Sequence, residues 1–276
     1  MRRNHASIIS ALSLSVGIGS LVGVAIGDVH AGDESSPTVS ATEEDQPLTE
    51  KARQAIRDEA EKVLTDFPAP DADDPRAVQV HSRRGDAYFF LGQFKQAVSE
   101  YRSMVSLNRE LDASHWRLGI ALFFADEPQA AAQQFEKYHS FDNVDRENGI
   151  WRYLSQYKSK GGEHAAKELI RYDKDDREPF PAVYRLFDGT LSAEEALAAI
   201  PSDISAEEKE KRLFYTELYI GMHLVVQQGG NPEPDFEAAK RYLGRAVSRK
   251  WPRTGGFGPN FMWHVARLQI DLLQNK

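Results

Sequence analysis

No cysteine occurs among the 276 residues of the chain. This absence excludes disulfide bonds, thiol catalysis, thiolate metal sites and lipidation at a cysteine. An excess of positive charge is also lacking, since 34 Lys and Arg stand against 42 Asp and Glu, for a formal net charge of −8. Because nucleic-acid affinity depends mainly on Lys and Arg neutralising phosphate, we expect no nucleic-acid partner.

The motifs of several common enzyme classes are missing as well. The chain contains no Gly-x-Ser-x-Gly nucleophile elbow, no Gly-x-x-x-x-Gly-Lys-Ser/Thr phosphate loop and no His-Glu-x-x-His metal motif. Of the eight histidines, His81 and His115 occupy the same position in successive repeats, where packing or lining a groove is the expected role. We therefore predict a protein without enzymatic activity, metal or cofactor.

Residues 1–31 have the pattern of a secretory signal. Arg2 and Arg3 precede an apolar run over 8–26, and small residues occupy the −3 and −1 positions of a cleavage site after Ala31. The pattern predicts export to the periplasm or cell envelope. The run is long for a signal, so an uncleaved anchor stays open, and membrane contact is expected only in that case.

The remainder of the chain divides into a linker and a helical domain. Residues 32–47 are acidic and rich in Ser and Thr, which is typical of a disordered linker. From residue 48 onwards, apolar residues recur at helical spacing and are separated by short loops, without a run of strand alternation. We therefore predict an all-α domain over 48–276.

A 34-residue internal repeat is the strongest pattern in this domain. The matching pairs are Gly85 and Gly119, Ala97 and Ala131, Tyr101 and Phe135, and His81 and His115. A tetratricopeptide repeat (TPR) is a pair of helices that recurs every 34 residues. We predict a TPR solenoid with repeats at about 78–111 and 112–145, a degenerate one at 146–174 and one interrupted by a loop around 231–236 at 214–250. The last helix, 261–274, is expected to cap the solenoid.

Two segments resemble a known family of TPR proteins. LGIALFF at 118–124 and WRYL at 151–154 are similar to segments of the NlpI-type envelope TPR lipoproteins. The resemblance implies an envelope adaptor that forms homodimers and brings a processing protease to cell-wall enzymes. These lipoproteins are anchored through a lipidated cysteine, which this chain lacks, so the anchoring does not carry over.

The first candidate site is the inner groove of the solenoid. Four positions in the first helix of each TPR face this groove. They hold Gln79, Ser82, Asp86, Phe89, Trp116, Ile120, Phe123, Ile150, Leu154 and Tyr157, together with Ala113 and Glu147. One of the four positions is aromatic in three successive repeats, which favours binding of an extended peptide or a partner helix. The alternative is that these rings pack inside the fold, against the second helices or the segment 180–187.

The second candidate site is a basic stretch near the C-terminus. It consists of Lys240, Arg241, Arg245, Arg249, Lys250 and Arg253. Arg241, Arg245 and Arg249 would share one helix face at a spacing of four residues. This face predicts an alternative function, binding to a cell-wall polymer or an anionic membrane surface. A solvated outer face without a partner is the other interpretation.

Overall fold

The computed structural model describes residues 48–71, 73–174, 176–227 and 235–274. Within these ranges the regular secondary structure is entirely helical, which confirms the prediction of an all-α fold. The α-helices are α1 Glu50–Asp66, α2 Ala77–Phe90, α3 Phe94–Leu107, α4 Trp116–Phe124, α5 Pro128–Phe141, α6 Arg146–Lys160, α7 Gly162–Lys167, α8 Phe180–Phe187, α9 Ala193–Ala198, α10 Ala206–Val226, α11 Phe236–Ser248, α12 Trp251–Thr254 and α13 Phe257–Gln274.

Two predictions fall on parts of the chain that are not described. The signal sequence and the linker, residues 1–47, lie outside the described residues. Most of the loop expected around 231–236 lies outside them too, except that its last residue, Phe236, begins α11.

The helices pack in sequential pairs. α2 lies against α3, α4 against α5, α6 against α7 and α10 against α11. Successive pairs are joined by contacts of α3 with α4 and of α5 with α6. The pairs α4–α5 and α6–α7 lie within the repeats predicted at 112–145 and 146–174. α2 begins one residue before the repeat predicted at 78–111, and α10 begins eight residues before the one predicted at 214–250.

The glycines of the 34-residue pattern lie where two helices of a pair come closest. A Cβ atom on Gly119 of α4 would lie 2.6 Å from Cζ of Phe135 on α5. Gly85 of α2 meets Tyr101 of α3 in the same way. Because only a hydrogen atom fits beside these rings, the glycine and the aromatic residue recur together.

The third pair makes its close approach one turn earlier than the predicted repeat requires. The repeat aligns Tyr153 with the glycine position, whereas the crowded residue of α6 is Gly149. A Cβ atom on Gly149 would lie 2.6 Å from the hydroxyl oxygen of Tyr172. That ring follows the short helix α7, so the usual second helix of a pair is here partly replaced by chain without regular secondary structure.

The C-terminal helix differs from its predicted position. We expect from the sequence a turn over 251–260 and a helix over 261–274, whereas α12 and α13 already cover most of that turn. Pro252 sits in the first turn of α12, where its missing N–H has no partner to lose. Residues 261–269 are all buried, as in a helix that is surrounded by protein.

The helix α13 contacts the first helices as well as α11. Arg267 donates a hydrogen bond to the carbonyl oxygen of Phe90 at 2.7 Å, and the His264 ring stacks on the Phe90 ring at 3.9 Å. Arg53 of α1 forms an ion pair with Asp271. The last described helix thus packs on the first two described helices instead of covering the last pair alone.

Candidate functional site

Five apolar members of the predicted groove are part of the core. Ile120, Ile150 and Leu154 have no exposed area. Phe89 is also fully buried, because Phe261 of α13 stacks on it. The Phe123 ring, 2 % exposed, packs edge-on against Trp151 and Phe124. For Phe89 and Phe123 the structure therefore favours the packing alternative.

The polar members Ser82 and Asp86 are engaged within the protein. Arg117 donates hydrogen bonds to both carboxylate oxygens of Asp86, at 2.6 and 2.8 Å, and to the Ser82 hydroxyl at 3.1 Å. The Tyr101 hydroxyl donates to the same carboxylate at 2.6 Å. Burial raises the pKa of Asp86. This network ties α2, α3 and α4 together and leaves little of either residue for a partner.

Two further residues of the predicted groove, Gln79 and Tyr157, are more accessible. Gln79 is exposed on the first turn of α2. Tyr157 is half-buried and packs beside Tyr153 and over Gly162. Neither residue lines the cleft described next.

Trp116 lines a cleft of about 480 Å³. The cleft is lined by residues of α4, α5, α6, α10, α12 and α13. Its half-buried aromatic residues are Trp116, Tyr138 and Trp251, with Tyr215 buried behind them. Its polar residues are Asp142, Asp145, Glu147, Asn148, Arg177 and Lys211. From the predicted groove, Trp116, Ile120 and Glu147 line this cleft.

Glu147 is one of the polar residues that line the cleft. It forms an ion pair with Arg177 at 2.5 Å and accepts a hydrogen bond from the hydroxyl group of Tyr219. Arg177 also contacts Asp145 and Asp176. Asp145 caps α6 by accepting a hydrogen bond from the backbone N–H of Glu147 at 3.0 Å.

The environment of Glu147 opposes its ionisation. Burial raises its pKa to about 7; Arg177 acts against this rise, and the charges of Asp145 and Asp176 add to it. A buried carboxyl with such a pKa in a cleft is typical of a functional site, although structural ion-pair networks produce the same shift.

Asn148 lines the same cleft and has an unused, buried acceptor. The residue is only 4 % exposed, and its amide nitrogen donates to the carbonyl oxygen of Phe135 at 3.2 Å. Its amide oxygen accepts no hydrogen bond from the described residues. A buried acceptor without a donor costs about 1–3 kcal/mol, so an occupant that donates a hydrogen bond there is favoured.

Exposed aromatic rings border the cleft. Phe141 is 63 % exposed and contacts Tyr138, with 5.7 Å between the ring centroids. Phe257 is 53 % exposed and lies 6.3 Å from Trp116. The apolar surface of the cleft therefore continues outwards onto the protein surface.

The predicted basic face is not formed as a single helix face. α11 ends at Ser248, and Arg249 follows it in extended conformation. Arg249 donates to both oxygens of the buried Glu217, at 3.0 and 2.8 Å, and to Glu210 at 2.8 Å. The prediction that Arg241, Arg245 and Arg249 share a face is wrong, because two carboxylates of α10 hold Arg249.

The other members of the basic set have mixed surroundings. Lys240 is bonded to Glu237 at 3.0 Å, and the Arg253 guanidinium lies over the Trp263 ring. Arg241 and Lys250 are exposed. Arg245, also exposed, lies 5.8 Å from the Tyr242 ring. The set therefore does not present six charges on one surface.

A metal-holding cluster and a membrane-crossing helix are both absent from the part of the chain that the structure describes. No group of three or more His, Asp or Glu side chains is placed to hold a metal ion there. No helix in that part of the chain combines the length and the apolar character needed to cross a membrane. In a comparison with models of known protein families, the chain matches none of them.

Proposed function

We propose that the protein is a non-enzymatic scaffold of the TPR solenoid type, which binds a segment of a partner protein in the cleft at Trp116. The observation that carries this proposal is the pair of exposed rings, Phe141 and Phe257, next to the cleft lining. A small ligand would be enclosed by the cleft and would leave both rings in water. A protein partner covers them, and aromatic residues dominate the energy of such interfaces.

The arrangement of the helices supports the solenoid part of the proposal. The sequential pairs, the 34-residue spacing and the glycine–aromatic contacts within pairs are all features of a TPR array. Such arrays offer their inner surface to protein ligands. In this chain α13 packs on Phe89 of α2, one of the predicted groove positions, so the partner is expected at the cleft alone.

Location and partner are proposed from the sequence. The pattern of residues 1–31 supports export to the cell envelope or periplasm. The resemblance to the NlpI-type lipoproteins supports an envelope protease or a cell-wall enzyme as the partner, and a homodimer as the assembly.

The proposal is tested with peptides selected by the full-length chain. A display library of short random peptides is panned on the wild-type protein, and the affinities of enriched peptides are measured by titration calorimetry. The double variant Trp116→Ala/Phe257→Ala should lose at least about tenfold in affinity, or about 1.4 kcal/mol. The control Leu107→Ala/Leu272→Ala removes two exposed apolar side chains that do not line the cleft and should bind as the wild type does.

Circular dichroism and the melting temperature show whether each variant is folded. Equal affinity of the cleft variant and the control for every enriched peptide would overturn the proposal.

A further inference from the structure

The cleft at Trp116 carries more negative than positive side chains. Asp142, Asp145 and Glu147 line it, against Arg177 and Lys211. Both cations are already paired within the protein, since Arg177 contacts three carboxylates and Lys211 contacts one. Asp142 forms no ion pair with any described residue. With Glu147 ionised, the lining therefore has one negative charge more than it has positive charges, and an added cation stabilises that ionised form.

Aromatic faces stand beside these carboxylates. The half-buried indoles of Trp116 and Trp251 and the phenol ring of Tyr138 line the same cleft. Among the described residues no cation lies over either indole, whereas Arg117 and Arg253 lie over other rings. A cation over an indole face gains about 0.5–2 kcal/mol, most where water is excluded.

Asn148 provides independent evidence that points to a ligand. It is 96 % buried, lines the cleft and keeps an amide oxygen without a donor. A carboxylate ligand or a phosphate would bring only acceptors to this oxygen. An ammonium or guanidinium group brings several N–H donors and no acceptor.

The N-terminus of α6 does not attract an anion to this place. The backbone N–H of Arg146 donates to Asp176 and that of Glu147 donates to Asp145, and Glu147 itself is an acidic residue of the first turn. These charges compensate the positive end of the helix from within the chain.

We propose that the cleft receives a lysine or arginine side chain of the partner segment. The cation contacts the faces of Trp116 and Trp251, donates to the Asn148 amide oxygen and is compensated by Glu147 and Asp142. This inference rests on the proposed function, since it specifies the segment that the cleft binds. The net charge of −8 on the whole chain favours the approach of a basic segment.

The test uses the peptides enriched by the full-length chain. We expect a Lys or Arg beside an apolar residue in most of them. For one such peptide, replacement of the basic residue by Gln should weaken binding to the wild type by about tenfold or more, as for a charge-assisted contact. The same replacement should change binding to the variant Asp142→Asn/Glu147→Gln by about twofold or less. The four affinities form a double-mutant cycle, which isolates the coupling between the basic residue of the peptide and the two carboxylates of the cleft.

Matched controls separate this inference from the function on which it rests. Glu110→Gln removes an exposed carboxylate outside the cleft and should leave the effect of the peptide substitution at its wild-type size. Asp142→Asn alone gives a second measurement if the double variant does not fold. If the enriched peptides lack basic residues, yet bind Trp116→Ala/Phe257→Ala more weakly than the wild type, the proposed lysine or arginine is overturned. The proposed binding of a partner segment in the cleft is then retained. Binding that depends neither on Trp116 and Phe257 nor on the basic residue of the peptide would overturn both proposals.

Discussion

Phe261 stacks on Phe89 with their ring centroids 4.7 Å apart and their planes 18° apart. The first ring belongs to the last helix and the second to α2, so the contact joins the two ends of the described fold. Both rings are fully buried. At Phe89, the groove position that the repeat pattern assigns to a partner is therefore covered by the chain itself.

Replacing Phe261 by Ala should destabilise the whole fold. The substitution leaves a cavity between α13 and α2, and the loss of a buried Phe typically costs about 3–5 kcal/mol. Urea denaturation followed by circular dichroism measures the change. Leu272→Ala, on the same helix but 39 % exposed, should change the unfolding free energy by less than about 0.5 kcal/mol. A Phe261→Ala value as small as this would show that α13 is not part of the core.

Replacing Gly119 by Ala should destabilise the α4–α5 pair. The added methyl group would lie 2.6 Å from the Phe135 ring, and overpacking of this kind typically costs about 1–3 kcal/mol. Gly244→Ala is the matched control, because that helical glycine has nothing near its added Cβ and should gain roughly 0.5–1 kcal/mol. Melting temperatures should move in opposite directions. An unchanged value for Gly119→Ala would count against the close helix contact.

Replacing Arg249 by Ala should destabilise the fold, although the residue lies in the basic stretch. The substitution leaves the buried Glu217 carboxylate without its cation, and breaking such a pair typically costs about 3–5 kcal/mol. Arg241→Ala removes an exposed arginine of the same stretch and should stay within about 0.5 kcal/mol of the wild type. Chemical denaturation compares the two. Equal unfolding free energies of Arg249→Ala and Arg241→Ala would show that the ion pair of Arg249 with Glu217 does not stabilise the fold.

The ionisation of Glu147 should make the stability depend on pH. Its folded-state pKa of about 7 lies above the ordinary value of 4.5, so between these values the folded chain holds a proton that the unfolded chain has released. The contribution of Glu147 to stability is therefore complete below pH 4.5 and falls as the pH rises towards 7. The fall amounts to about 3 kcal/mol, since one pKa unit corresponds to about 1.4 kcal/mol.

Unfolding free energies over this pH range test the role of Glu147. The Glu147→Gln variant lacks this ionisation, so its stability relative to the wild type should rise with pH. Glu110→Gln, an exposed control, should run parallel to the wild type. Parallel curves for all three proteins would show that Glu147 ionises normally in the fold.

Much of the helical order could be predicted from local patterns. The capping box of α9 is present as its sequence suggests, with Ser192 accepting from the backbone N–H of Glu195 and the Glu195 side chain accepting from that of Ser192. The Gly119–Phe135 contact likewise follows from a repeat that is visible in the residues. Both depend on neighbours close in sequence or on a fixed repeat length, so a linear pattern contains the information.

The cleft could be predicted only in part. Trp116, Ile120 and Glu147 come from repeat positions that are expected to face inwards, and they do line it. Arg177 and Trp251 come from segments outside the clear repeats, and no spacing connects them with α6. Their place depends on how the segments after α7 fold back, which is a matter of long-range packing.

By itself, the sequence determined the helical class, the absence of cysteine chemistry and the glycine positions where the helices of the first two pairs touch. Periodicity and side-chain volume act over one or two turns, and both can be counted along the chain. Only the tertiary structure decided that α13 covers Phe89, that Arg249 turns to Glu217 and that Trp116 stays accessible. These outcomes depend on which distant apolar faces and charges meet, because burial and ion pairing are settled by the whole packed array.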